Sequence, residues 1–249
     1  MKNTAIVPLI LSFGMILSSC QTTDLPGKNK DVDPAADALL KAMSDKLKSA
    51  RQLSYQVERT LDADIAQGRK VPKTASIDVV IQRPNKVRSF RTKTARPTEF
   101  YYDGKTVTLI DKTGKDYATA PAPGNIDDMI DQIEAKWGIY PPLADLVVAD
   151  PYASLQPGIV TGKVKGTESV NGEPCTIIAF NNFSVGWTVW ISDRDKLPRR
   201  VKAVFKDGEA RSNMSADISN WNLNPSVTAS TFKAKLPSGA QKVDMIPLD

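Results

Sequence analysis

The feature that most constrains this chain is a strict alternation of apolar and polar residues near its carboxyl end. Trp187, Val189 and Ile191 alternate with Thr188, Trp190 and Ser192, and Val201, Ala203 and Phe205 alternate with their neighbours in the same way. A period of two places every second side chain on one face of a strand and is incompatible with a helix, whose period is 3.6. The polar segment 193–198, which ends in Pro198, joins these runs as a hairpin. Asp207-Gly208 is a second hairpin signal, because a type I′ turn needs positive φ at both central residues. A third strand over about 210–221 completes an antiparallel meander.

Earlier parts of the chain read the same way. Leu53, Tyr55 and Val57 alternate and continue loosely towards Ile65, with a turn at Gly68-Arg69-Lys70. Ile77, Val79 and Ile81 alternate until Arg83-Pro84-Asn85 breaks the run. Strands are expected at 87–93, at 99–102 and 105–110 around Asp103-Gly104, and at 115–119 after Lys112-Thr113-Gly114. They resume near Ile159, with Asn171-Gly172 as the next tight turn. Helical spacing intervenes at two places. Asp33 caps a helix with Pro34 at its first position, and Ala36, Leu39, Leu40, Met43, Leu47 and Ala50 form one stripe over 34–51. Asn125 caps another, with Asp127 and Asp128 at the positive dipole end, an apolar face of Ile126, Met129, Ile130, Ile133 and Trp137, and Gly138 as its stop. Pro141-Pro142 opens a short helix over 143–149. The expectation is α+β: nine to eleven antiparallel strands, one helix before the sheet and a helical insertion within it. No fixed repeat is present, which argues against propellers and solenoids.

The 249 residues contain no histidine. That removes Ser-His-Asp and Cys-His catalysis, histidine general bases and histidine metal ligands together. No Gly-x-Ser-x-Gly elbow is present, no cofactor is implied and no enzyme class is supported. The net charge is +5, with Lys2 inside the leader. So mild a charge, without a basic stripe or a matching motif, does not describe a nucleic-acid binder; an anionic membrane surface stays open.

Residues 1–19 read as a targeting segment: Lys2, an apolar run over 5–17, then Ser18 and Ser19 before Cys20. The run falls short of the about 20 apolar residues of a membrane span. Leu17-Ser18-Ser19-Cys20 resembles the lipobox of bacterial lipoproteins, which implies diacylglycerol on the Cys20 thiol, cleavage before it and acylation of the new amino terminus. Several acyl chains anchor stably where one does not. The alternative is an ordinary secretory leader with a coincidental cysteine. Gln21 after the cysteine is, in enterobacterial lipoproteins, a pattern of outer-membrane sorting. Residues 20–33 read as a flexible tether and 34–249 as a single domain. Cys175, in an apolar strand and without a partner cysteine, reads as a buried inert thiol.

The order of motifs brings a family into view. Arg83-Pro84-Asn85-Lys86-Val87-Arg88, Tyr102-Asp103-Gly104-Lys105-Thr106-Val107, Val189-Trp190-Ile191-Ser192-Asp193, and the closing 217–225 segment followed by Phe232 and Leu236-Pro237-Ser238-Gly239 carry it. The chain resembles the LolA/LolB-like periplasmic lipoprotein-carrier superfamily over roughly 35–245, most closely its lipoprotein branches. The resemblance implies a strongly curved half-barrel whose concave face is roofed by helices over an apolar cavity, holding a lipid, an acyl chain or a lipoprotein. Candidate cavity residues are Ile77, Val79, Ile81, Tyr101, Met129, Ile130, Ile133, Trp137, Val189 and Ile191. In the carriers a cavity-side arginine in an Arg-Pro motif helps govern release, and Arg83 and Arg88 fall there. Ten buried methylenes would supply roughly 8 kcal/mol of binding without a catalytic group.

Two clusters have simpler readings. Asp127, Asp131 and Glu134 share a helix side and lack the spacing of a calcium loop, and Arg199, Arg200, Lys202 and Lys206 fit the wet face of a strand as well as they fit lipid headgroups. The functional expectation is an envelope lipoprotein, anchored facing the periplasm in the outer membrane, that carries or accepts a lipid. The alternative is a non-catalytic regulator that docks an envelope protein partner through its sheet.

Overall fold

The structure is a computed structural model that describes residues 31–62, 65–66, 69–70, 73–113, 115–122, 124–141, 143–206 and 213–245. The leader, Cys20 and the Asp207-Gly208 turn lie outside the described residues. In chain order the elements are β1 (Asp31–Val32), α1 (Pro34–Lys48), β2 (Gln52–Leu61), β3 (Ile65–Ala66), β4 (Arg69–Lys70), β5 (Lys73–Gln82), β6 (Lys86–Thr92), β7 (Thr98–Tyr102), β8 (Thr106–Asp111), β9 (Asp116–Pro121) and α2 (Ile126–Trp137). There follow α3 (Pro151–Leu155), β10 (Thr161–Val170), β11 (Glu173–Asn181), β12 (Val185–Ser192), β13 (Pro198–Phe205), β14 (Met214–Asn222) and β15 (Gln241–Lys242).

All but β3 and β4 form one open, curved sheet in the order β1-β10-β11-β12-β13-β14-β2-β5-β6-β7-β8-β9-β15. Two meanders, β2 with β5–β9 and β10–β14, meet where β14 lies antiparallel to β2, with Ile218 opposite Val57. Eleven of its thirteen strands have five residues or more; the other two are short parallel additions at the edges. An open, curved and mostly antiparallel sheet with few helices is the α+β half-barrel expected from the sequence.

Local chemistry explains the elements. Asp33 accepts from the Ala35 N–H at 2.9 Å and Pro34 opens α1, whose Ala36, Leu40, Met43 and Leu47 are buried. Asn171 and Gly172, at φ 51° and 82°, make the two-residue turn between Val170 and Glu173. The segment expected to be helical over 143–149 is only a 3-10 turn, Ala144–Leu146. A helix beyond it, α3, repeats the Asp-Pro start of α1, with Asp150 accepting from the Ala153 N–H. Asp31 and Val32, within the expected tether, instead pair with Thr161 and Gly162.

Each sheet half has its own cover. α1 packs on β10, β11 and α3, and its apolar stripe shares a core with Ile178, Phe180, Val189 and Ile191. The Phe180 ring stacks on Trp187 at 4.6 Å. It also lies where a Cβ on Gly162 would stand, so the bare backbone of β10 is required there. Over the other half runs α2.

Candidate functional site

Alternation fixes which side chains face α2. In β2 the odd-numbered residues Leu53, Tyr55 and Val57 point to the concave side, as do Ala75, Ile77 and Ile81 of β5 and Val87 of β6. The same parity carries Val79, Ser89 and Arg91 inward, and continues β2 to Arg59. Across β7 the even-numbered Thr98, Phe100 and Tyr102 take the inner face.

α2 is held as a roof by hydrogen bonds at its amino end. Asn125 and Asp128 form a reciprocal capping box, and Gly138 ends the helix in the left-handed conformation. The Ile126 N–H donates to the Pro84 carbonyl at 2.9 Å, and the Tyr102 hydroxyl donates to the Gly124 carbonyl at 3.0 Å. Asp127 accepts from the Ala149 N–H, so it ties the roof to the 144–149 segment. Arg83 completes the latch. Its Nη1 donates to the carbonyls of Val147 and Val148 at 2.6 and 2.7 Å and its Nε to that of Ala50 at 3.2 Å. Burial pushes its guanidinium below the usual arginine range, opposed by the Asp127 charge.

Between roof and sheet is a cavity of about 350 Å³. Its floor is Tyr55, Ile77, Val79, Ile81, Val87, Phe100 and Leu109, and its roof is Ile126, Met129, Ile130 and Ile133, extended by Ile139, Tyr140, Pro141, Ala144 and Val147. That volume lies within the roughly 300–1,000 Å³ of ligand pockets. Arg59, Ser89, Arg91 and Thr98 complete the lining and bring polar groups to one end of it. The pairing of Arg59 with Ala75 and of Arg91 with Ile77 puts this end away from the 83–85 turn, where the roof is latched. Burial, and then the Arg91 charge, push the Arg59 guanidinium below its usual range.

Six candidate residues, Ile77, Val79, Ile81, Met129, Ile130 and Ile133, stand in this lining. Tyr101 does not, because its inward neighbours Phe100 and Tyr102 leave it on the convex face. There it meets Phe90 edge-on at 5.9 Å and donates to Glu99 at 3.0 Å. Trp137, in the last residue of α2, packs on the core beyond the lining, and Ile139 and Tyr140 take the wall instead. Val189 and Ile191 face the concave side but are buried in the filled half. Arg83 is a latch and does not line the cavity. Arg88 stacks on Phe90, its guanidinium 4.4 Å from the ring. Arg59 and Arg91 are the arginines of the lining, and their parity with Leu53-Tyr55-Val57 and Val87-Ser89 is the signal that would have found them.

The remaining clusters are structural. Arg199 pairs with Asp195 at 2.7 Å, and Arg200 holds Asp217 through two nitrogens and Glu168 at 3.5 Å. The Arg200 guanidinium and the Lys202 ammonium lie over Trp190 at 5.7 and 5.3 Å, and Lys206 donates to the Asn182 carbonyl. These cations serve the convex face. Cys175 is buried beside Val170 and Trp190, and burial pushes its thiol up.

Several solved structures are similar to this chain. The lipoprotein LppX of Mycobacterium tuberculosis is 18% identical, with a TM-score of 0.49 over 79% of this chain and 100% of LppX. LprF of Mycobacterium bovis is 16% identical, with a TM-score of 0.45 over 79% and 97% of the two chains. MucB is 13% identical at a TM-score of 0.49, and the match spans 82% of this chain but only 64% of MucB. No curated protein matches the sequence. The model of the family described as "Predicted periplasmic protein (DUF2092)" matches residues 36–246, and the chain belongs to that family.

Proposed function

We propose that this protein is a non-catalytic envelope protein that receives an alkyl chain of a lipid or lipoprotein in the cavity beneath α2, as a carrier or an acceptor. The observation that carries the reading is the cavity: about 350 Å³, walled mostly by aliphatic and aromatic side chains. Each methylene moved from water into such a wall gains about 0.8 kcal/mol, so a ten-carbon segment gains roughly 8 kcal/mol before ordering costs. Acylation of Cys20 would hold the cavity beside a membrane, the outer one by the residue that follows it, and a tethered chain would accept or retain a ligand more readily than shuttle it.

Native extraction followed by lipid mass spectrometry tests the function. Co-purifying acyl lipid that is lost when Ala144 is enlarged supports it. A preparation that is empty and rejects fluorescent fatty acids ends it, and a stoichiometric protein partner on such an empty chain would favour docking through the sheet. Labelled palmitate incorporation, abolished by Cys20→Ala, tests the anchor separately.

A further inference from the structure

The polar end of the cavity has a composition that an alkyl chain alone does not explain. Arg59 and Arg91 approach the concave surface from β2 and β6 and straddle β5, where Ala75 and Ile77 stand opposite them in register. Ala75 carries no side chain beyond Cβ, which leaves room between the two guanidiniums. Neither Nε finds a hydrogen-bond partner, although both are buried. Among the described residues, the Arg91 side chain donates from Nη2 to the Arg96 carbonyl at 3.2 Å. Among the described residues no carboxylate pairs with either. Other part-buried arginines are better matched: Arg199 and Arg200 have carboxylates, and Arg83, though its Nη2 is unmatched, gives three bonds to carbonyls. Two like charges with open donors on one apolar cavity are costly unless an anion completes them.

We propose that the ligand is an amphiphile whose anionic oxygens, of a carboxylate or a phosphate, sit between Arg59 and Arg91 while its alkyl chain lies along Ile77, Val79 and Ile81 beneath α2. This rests on the apolar-ligand reading above and adds the head group. Guanidinium presents donors in a planar fork that matches two oxygens of one anion. The hydroxyls of Ser89 and Thr98, in the same lining, add donors that suit the same oxygens. Neutral lipids would leave both forks unmatched.

The test uses the full chain in amphipol, titrated with cis-parinaric acid and with the alcohol of the same chain. At pH 8 the acid is expected to bind about tenfold or more tighter than the alcohol. Arg59→Gln with Arg91→Gln removes that preference and leaves the alcohol's affinity within about threefold. Lysophosphatidate that displaces the bound acid at about tenfold lower concentration than a non-fluorescent fatty acid of the same chain assigns the head to phosphate; the reverse order assigns it to carboxylate. Equal binding of acid and alcohol to the unaltered chain, or a preference that survives both substitutions, overturns the head-group proposal and leaves the cavity reading standing. Binding of neither overturns both. Should the double variant fail to fold, the acid, alcohol and methyl ester on the unaltered chain still decide.

Discussion

The two halves of the concave face are built from similar strands and end differently. Under α1, Leu40, Met43 and Leu47 close down on Ile178, Phe180 and Ile191, all with no exposed surface. Under α2 an equally apolar stripe meets a floor of Ile77, Val79 and Ile81 and leaves about 350 Å³ between them. Hydropathy is the same in both, so what differs is how far each cover can descend. α1 packs on β10, β11 and α3, above a Phe180 ring that fills the space at Gly162, whereas α2 is suspended at its amino end by Pro84, Gly124 and the Arg83 latch. A helix hung from its end on backbone carbonyls has no need to settle onto the sheet. The lesson is that packing against one half stabilises the fold and suspension over the other keeps room for a ligand.

The largest expected effect breaks or upholds that contrast directly. Phe180→Ala should cost about 3–5 kcal/mol, because it removes a ring packed on all sides. The same change at Phe100, on the cavity wall, should cost only about 1–2 kcal/mol, since one side of that ring already lacks partner atoms. Chemical denaturation of both variants decides it, and equal losses would mean the α2 half is as full as the other.

Arg83 comes next. Arg83→Met removes donors from three carbonyls and should cost about 2–3 kcal/mol. The loss should concentrate in the roof: hydrogen exchange at 144–149 should speed while the exchange of β11 and β12 holds. Uniform acceleration would make Arg83 an ordinary core residue and α2 something other than a suspended cover.

Small-to-large changes sharpen the comparison further. Ala216, on β14 with no exposed surface, is part of the core and outside the cavity lining, and Ala216→Leu should cost about 1–3 kcal/mol. Ala144 faces the cavity. Ala144→Leu should stay under the ~1 kcal/mol at which overpacking begins, yet weaken binding of a fluorescent fatty acid about tenfold. If Ala144→Leu destabilises as much as Ala216→Leu, the cavity is not open space.

What the sequence disclosed and what it withheld follow the range of the interaction concerned. Asp33-Pro34, the Asn125–Gly138 helix and the Asn171-Gly172 turn are decided within a few residues, and they stand where local chemistry put them. Asp150-Pro151 carries the same start signal as Asp33-Pro34 and opens α3. The β14–β2 seam and the parallel edges β1 and β15 join residues more than a hundred positions apart, which no local pattern encodes. Alternation placed Val189 and Ile191 on the correct face but could not tell which half would be filled. The same alternation carries Arg59 and Arg91 inward, against the general preference of charged side chains for water.

The smallest effect concerns the seam between the halves. Tyr55 lines the cavity and packs, tilted by 32°, against Trp221 of β14 at 4.6 Å between ring centroids, so it belongs to both halves. Burial holds its hydroxyl well above the ordinary value near 10, with the Arg83 charge opposing. Tyr101, on the convex face, is pushed up to about 12 by burial first and then by its bond to Glu99. For both, the folded chain keeps the proton more tightly than the unfolded one. The stability they carry is complete below about pH 10 and is lost as pH climbs through the folded values, because the unfolded chain deprotonates first. Urea midpoints should therefore be flat up to about pH 10 and fall above it. Tyr55→Phe should remove the larger share of that fall and Tyr101→Phe a smaller one, since the first hydroxyl is the more deeply enclosed. Should Tyr101→Phe flatten the alkaline fall while Tyr55→Phe leaves it intact, the hydroxyl at the seam is wet, and the cavity extends across the boundary into the half that α1 covers.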